Sequence, residues 1–402
     1  MTPTRSQPRT TVAEKAGTEH LLDTIQLGPY RLRNRMAMAP LTRSRARQPG
    51  NVPTALNACY YSQRACAGVI ISEATQVSQQ GQGYAWTPGI HTREQVDGWR
   101  LVTDGVHNAG GLIFLQLWHV GRISHPRLQP DHMPPVAPSP VKPQGQAFIE
   151  NERGEGELVP FVTPRALQLE EMSYIVDQYA RGARNAQNAG FDGVEIHAAN
   201  GYLLDQFIES STNQRTDQYG GSIENRARLL MEVVDAVATV WNNDRVGVRL
   251  SPMGRANDIS DDDPIATFGH IARTLSDRKL AYLHLVNPLL ATMQDGTEPD
   301  VRPIELLKTM REAYRGLLMI AGGFDQDTAE AWLEQGRADV IAFGRKFIAN
   351  PDLPERFRQR APLNSDDPTT YYGGGEKGYT DYPSLAHERG EQAKPCVDVR
   401  WR

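Results

Sequence analysis

The ten residues Gly193-Val194-Glu195-Ile196-His197-Ala198-Ala199-Asn200-Gly201-Tyr202 begin as a strand and end as a set of reactive side chains. Val194 and Ile196 are β-branched, which favours extended backbone. They lie between the turn-forming Gly190-Phe191-Asp192-Gly193 and a break at Gly201. Past the strand come an imidazole, a carboxamide and a phenol. His197 and Asn200 can grip one oxygen atom, and Tyr202 can hand over a proton beside it.

The flanking sequence repeats the same grammar. Short apolar runs occur at 35–41, 68–74, 112–118, 193–197, 246–250, 280–286, 316–321 and 340–343. Amphipathic segments separate them. In 170–189, Met172, Ile175, Val176, Tyr179, Ala183 and Ala186 follow the spacing of a helix with one buried face. Asp263-Pro264 reads as an N-cap with proline at the first helical position. Asp325 caps a helix through Trp332, with Gly336 placed as its stop. Residues 23–33 alternate around Leu27-Gly28-Pro29-Tyr30, a β-hairpin pattern able to plug the bottom of a barrel.

Eight βα units with no second compositional block predict the α/β class, as a single (β/α)8 TIM barrel over residues 21–402. It carries an N-terminal β-hairpin and a long insert after strand 3, residues 121–166, rich in Pro, Gly and charge, of the kind that covers a site. A doubly wound sheet competes, but no Gly-rich fingerprint follows any strand.

Composition sets outer bounds. The chain has 402 residues, 39% hydrophobic and 23% charged, with no apolar run long enough to span a bilayer. A net charge of -5 gives no electrostatic case for nucleic acid or an anionic membrane. Cys59, Cys66 and Cys396 lack metal-type spacing and read as free thiols of a reducing, cytoplasmic compartment. Cys59 and Cys66 fall a heptad apart on an expected helix, as core packing. Residues 1–20 are polar with no signal-peptide core and read as a disordered tail.

In a (β/α)8 barrel the active site lies at the C-terminal ends of the strands. There the sequence places Pro40-Leu41-Thr42-Arg43, Glu73-Ala74-Thr75, Gln116-Leu117-Trp118-His119, the His197/Asn200/Tyr202 set, Arg249-Leu250-Ser251, Ala321-Gly322-Gly323-Phe324 and Gly344-Arg345. The set fits a large polar ligand lying across the mouth. Gly322-Gly323 after strand seven and Gly344-Arg345 after strand eight fit a phosphate site, Arg345 pairing with the phosphate oxygens.

Several of these blocks resemble the old yellow enzyme family of FMN-dependent ene-reductases. They are Ala39-Pro40-Leu41-Thr42-Arg43, Gln116 through Arg122, His197 through Phe207, Asn213 through Arg226, and Phe343-Gly344-Arg345. Thr42 and Tyr202 match the subgroup related to yeast old yellow enzyme and to the bacterial nitroester and morphinone reductases. The resemblance implies bound, non-covalent FMN with NADPH or NADH as hydride donor. Pro40, Thr42, Ala74, Gln116, His197, Arg249, Gly323, Gly344 and Arg345 would hold FMN, with Thr42 at the O4 edge, Gln116 at the pyrimidine edge and Arg249 near N1 and O2. Tyr84, Trp118 and Tyr372, with His197, Asn200 and Tyr202, would line the substrate pocket. The substrate would be an activated alkene, an α,β-unsaturated carbonyl or nitro compound. His197 and Asn200 hold its electron-withdrawing oxygen, and Tyr202 protonates the α-carbon.

Arg249 sits in a Val-Gly-Val-Arg-Leu strand with no acid flanking it, so its expected partner is the ligand. Gly373-Gly374-Gly375-Glu376-Lys377-Gly378 fits G-x-G-x-x-G, but follows no strand and opens no helix, and so fails the context of a dinucleotide site. NAD(P)H then has to use the substrate's own pocket. The residues alone leave a flavin-free phosphate-binding aldolase or isomerase, or a non-catalytic small-molecule binder, as alternatives. No metal site is expected, nor any macromolecular partner beyond a second copy in a homodimer.

Overall fold

The computed structural model describes residues 20–289 and 301–391. The expected tail at 1–20, apart from His20, lies outside the described residues, as does Cys396.

Eight parallel strands close into a barrel in chain order. They are Met36–Met38, Val69–Ile71, Ile113–Trp118, Gly193–Ala198, Val246–Leu250, Tyr282–Val286, Leu318–Ala321 and Val340–Phe343. Each falls within or over one of the eight apolar runs. Strand three pairs with strand four through Gly193↔Phe114 and Glu195↔Gln116, and strand eight returns to strand one through Ala342↔Ala37. Burial is unbroken along seven of the eight strands and reaches all but Val286 of strand six, as parallel strands covered on both faces require.

The helix Glu171–Asn188 buries Met172, Ile175, Tyr179, Ala183 and Ala186 against the outside of the barrel. Asp263 accepts from Ala266 N at 3.0 Å, and Asp325 from Thr328 N at 2.9 Å, so both expected caps form. Gly336 has φ +64° and ends its helix.

Inside the barrel, side chains alternate with the strand period. The floor is apolar: Ala37, Val69, Ile71, Phe114, Tyr282, Met319 and Val340 meet Leu27 and Leu32 of the hairpin formed by Ile25–Leu27 and Tyr30–Leu32. The hairpin therefore plugs the bottom. Strands four and five contribute glycine at this level because two rings fill the space. A Cβ on Gly193 would lie 2.4 Å from the Phe114 ring, and one on Gly247 would lie 2.3 Å from the Tyr282 ring.

The insert after strand three is structured, not a plain loop. Val136–Ala137 and Arg165–Ala166 pair in parallel, and Gln146–Glu150 and Gly156–Pro160 form an antiparallel hairpin. The hairpin docks on the segment after strand two, through Ala85 N to Phe148 O at 2.9 Å and Trp86 Nε1 to Glu150 Oε2 at 2.5 Å.

The cysteine expectation needs correcting. The helix is Ala55–Ser62, so Cys66 lies beyond it, and Cys59 is exposed while Cys66 is buried. The helix stops because the Arg64 guanidinium folds back to Tyr60 O at 2.7 Å and reaches Ile348 O at 2.7 Å.

Overpacking the floor is expected to cost about 1–3 kcal/mol. Gly193→Ala, whose new methyl would also lie 2.5 Å from the Arg245 carbonyl, should lower the urea midpoint accordingly. An unchanged midpoint would mean that the floor is loosely packed.

Candidate active site

His197 ends the fourth strand facing inward and is 3% exposed. The chain then bends sharply, with φ +56° at Asn200 and +76° at Gly201, before the helix Leu203–Ile208. Asparagine tolerates this left-handed geometry better than most residues, and here its backbone is tied on both sides. Asn200 N donates to Ser251 Oγ at 2.6 Å, and Asn257 Nδ2 donates to Asn200 O at 2.7 Å. Asp205 completes the clamp by accepting from Gly201 N at 2.9 Å and Ser251 Oγ at 3.0 Å. Burial pushes the Asp205 carboxyl up to about 7 against these donors.

Four rings gather at this bend. The Trp118 ring lies 4.9 Å from Tyr202 edge to face and stacks with His197 at 6.3 Å and with Tyr84 at 5.7 Å. His197 and Tyr202 meet at 5.1 Å, and the Tyr84 and Tyr202 hydroxyls are 3.1 Å apart. The insert supports this wall: Ala147, Ile149 and Phe161 pack in one cluster with Ala74, Trp118, Tyr84 and Tyr202. Burial raises the Tyr202 pKa, so its phenol stays protonated at neutral pH. Burial, with the charge of Arg249, holds His197 well below the usual imidazole range, so it is neutral. Its Nδ1 is buried with no protein partner.

Level with His197, and one inward position below it, lies a polar layer of Arg249, His284, Glu195 and Gln116, between 0% and 9% exposed. Arg249 does have an acid nearby, contrary to the reading from its own strand. Glu195 of strand four acts on it electrostatically, with no direct ion pair, and Arg249 Nε has no protein partner. Pro40 and Ala74 are buried and Thr42 half-buried at the ends of strands one and two. Beside them the buried Glu73 accepts from Tyr61 Oη and Arg43 N, both at 3.2 Å.

At strands seven and eight, Gly322 and Gly323 have φ +118° and +79°, and Arg345 opens the helix Arg345–Ala349 with its side chain exposed. The Gly-rich tail lies across the end of strand one. Arg43 donates to Gly378 O at 2.9 Å and Tyr371 O at 3.0 Å, and Arg45 to Thr370 O at 2.9 Å and Gly375 O at 3.1 Å. Its carbonyls thus face two arginines, the opposite of a phosphate-cradling turn. Tyr372, on this tail, is 63% exposed and makes its ring contact with Tyr371, yet it lies near enough to Tyr84 and Tyr202 to add to burial in raising both their pKa values.

Reading strand ends placed Ser251 at the mouth but missed Glu195, His284 and Asp205 as parts of the site. The signal for two of them was present, since Glu195 precedes His197 by two residues and shares its inward face. His284 holds the matching place in Tyr282–Val286.

The family described as NADH:flavin oxidoreductase / NADH oxidase matches residues 20–364. The chain is 42% identical over 377 residues to 12-oxophytodienoate reductase 2 of Arabidopsis thaliana, covering 93% of this chain and 98% of the relative. It is 44% identical over 365 residues to a probable flavin mononucleotide-dependent alkene reductase of Leishmania infantum, covering 91% and 97%. Among solved structures, morphinone reductase superposes with a TM-score of 0.88 at 50% identity, covering 93% of this chain and 99% of that one.

Glu73 and Asp205 give the fold a pH signature. Burial pushes each carboxyl up to about 7, so folding takes up protons between the ordinary carboxylate range and pH 7. Their contribution is complete below about pH 4 and is lost as pH rises through 7, at up to about 1.4 kcal/mol per pH unit per group. A Glu73→Gln/Asp205→Asn variant should show a flatter decline in urea midpoint from pH 5 to 8. An equally steep decline would exclude these two carboxyls as its source.

Proposed function

The chain belongs to the NADH:flavin oxidoreductase / NADH oxidase family, and on that premise we propose how its own residues reduce an activated alkene. It is an FMN-dependent alkene reductase of the old yellow enzyme type, which sets aside the flavin-free barrel and the non-catalytic binder. The observation that carries the proposed mechanism is the meeting of a neutral His197, a protonated Tyr202 and the fixed Asn200 turn over the polar layer.

The residues present fit FMN. Arg249 Nε and His197 Nδ1 are buried polar atoms without protein partners, and a positive-φ Gly-Gly turn stands near the exposed guanidinium of Arg345. In this reading Gly323, Gly344 and Arg345 hold the phosphate, while Pro40, Thr42, Ala74, Gln116, His197 and Arg249 hold the ring system. When bound, FMN would supply the hydride chemistry between NAD(P)H and the substrate's β-carbon.

His197 and Asn200 bind the carbonyl or nitro oxygen and stabilise the negative charge that develops on it. One such donor is worth roughly 3 kcal/mol of barrier. Neutrality suits His197 for this, since it donates an N–H without handing over a proton. Tyr202 Oη–H then gives its proton to the α-carbon. The Tyr84 hydroxyl touches Tyr202 and holds it in the pocket with Trp118. Tyr372 completes the wall from the exposed tail. The same pocket receives nicotinamide and alkene in turn. The role is that of a cytoplasmic enzyme, monomer or homodimer, with small alkenes as substrates. No described helix is long and apolar enough to cross a membrane.

Tyr202→Phe should leave reduction by NAD(P)H within about twofold of the parent and slow alkene turnover by about 10²–10⁴. Stopped-flow absorbance separates the two half-reactions, and equal losses in both would remove Tyr202 from the proton-donor role. Steady-state lines for the parent should run parallel, and intersecting lines would exclude a shared pocket.

A further inference from the structure

Two groups in the polar layer have no part in the proposed mechanism. Glu195 and His284 are both 0% exposed and sit among the inward residues of strands four and six. Glu195 Oε1 accepts from Gln116 Nε2 at 2.7 Å, and its Oε2 lies 2.8 Å from His284 Nδ1. The register explains the grouping. Glu195 is level with Gln116 across one strand boundary, and Arg249 is level with His197 and His284 on its two sides.

Burial works against the Glu195 charge, yet His284, Arg249 and the Gln116 N–H together hold its carboxyl below the ordinary range. It is ionised, and an ionised carboxylate only accepts hydrogen bonds. Both neighbours must therefore present N–H groups to it. That fixes Gln116 with its amide nitrogen toward Glu195, leaving the carbonyl oxygen as the acceptor for a ligand N–H. It fixes His284 as the tautomer protonated on Nδ1, in keeping with the burial that lowers its pKa. Arg249 makes no direct ion pair with Glu195, so its guanidinium stays available to a ligand while its charge is partly balanced from below.

We propose that Glu195 is a positioning residue for the flavin's pyrimidine edge, setting which end of the Gln116 amide meets the cofactor and tempering the positive charge that Arg249 offers it. The inference rests on the reading that Gln116 and Arg249 contact that edge. Reduced flavin gathers negative charge there, which Arg249 stabilises and Glu195 opposes. The pair keeps the flavin reducible by NAD(P)H and still willing to release hydride.

The test is the FMN midpoint potential of the Glu195→Gln holoenzyme, measured by equilibration with a reference dye. Removing the charge should raise it, increasing the ratio of reduced to oxidised flavin at fixed poise about tenfold, or about 30 mV for this two-electron couple. An unchanged or lower potential in the folded, flavin-loaded variant overturns the proposal. Glu195→Asp keeps the charge but withdraws the carboxylate from Gln116. Its potential should stay near that of the parent, while FMN is lost about tenfold more readily on dialysis. Should Glu195→Gln not fold, this variant carries the test alone, and unchanged FMN retention overturns the proposal. Gln116→Leu and Arg249→Lys separate the two layers of the argument. If both leave FMN retention and potential as in the parent, the reading of the pyrimidine edge falls and the proposal with it. If they alter either quantity while the Glu195 variants alter neither, only the proposal falls.

Discussion

A closed parallel barrel buries its inward side chains, so a polar group left unpaired there is costly. That constraint sorts the interior by height. At the floor, Phe114 and Tyr282 fill the space that Gly193 and Gly247 leave open. One layer up, the same strands offer Gln116, Glu195, Arg249 and His284, whose polar atoms satisfy one another only in part. Arg249 Nε and His284 Nε2 are left without a protein partner. The transition from packing to pairing takes place within two residues of each strand, because alternation spaces inward positions by two.

The bend after His197 depends on that layer's neighbours. Ser251, just past the end of strand five, accepts from Asn200 N and donates to Asp205. Asn257 holds the following peptide unit through Asn200 O. The Asn200 turn is therefore held jointly by the ends of strands four and five, and its geometry depends on the 251–257 segment.

The eight strands were legible because buried parallel strands are continuous apolar runs, and each run marked one strand. The His197, Asn200 and Tyr202 set was legible because three different hydrogen-bonding groups follow one strand end. Other features depend on distance in sequence. Glu195 and His284 are 89 residues apart, and neither acquires meaning until the barrel closes around both. The insert hid its hairpin because Gly156–Pro160 is largely exposed, without the alternation that marks a half-buried strand. Cys59 and Cys66 misled because a heptad spacing was extended past the end of a short helix.

The clasp of Arg43 and Arg45 on the carbonyls of residues 370–378 joins the end of the first barrel strand to nearly the last described part of the chain. During synthesis the chain emerges from its N-terminus. These arginines must therefore wait, unsatisfied, while seven more strands appear, and even strand eight does not supply their partners. The barrel can therefore close before this clasp can form. A chain cut before residue 370 would keep all eight strands and lose the carbonyls that hold both guanidinium groups at the rim.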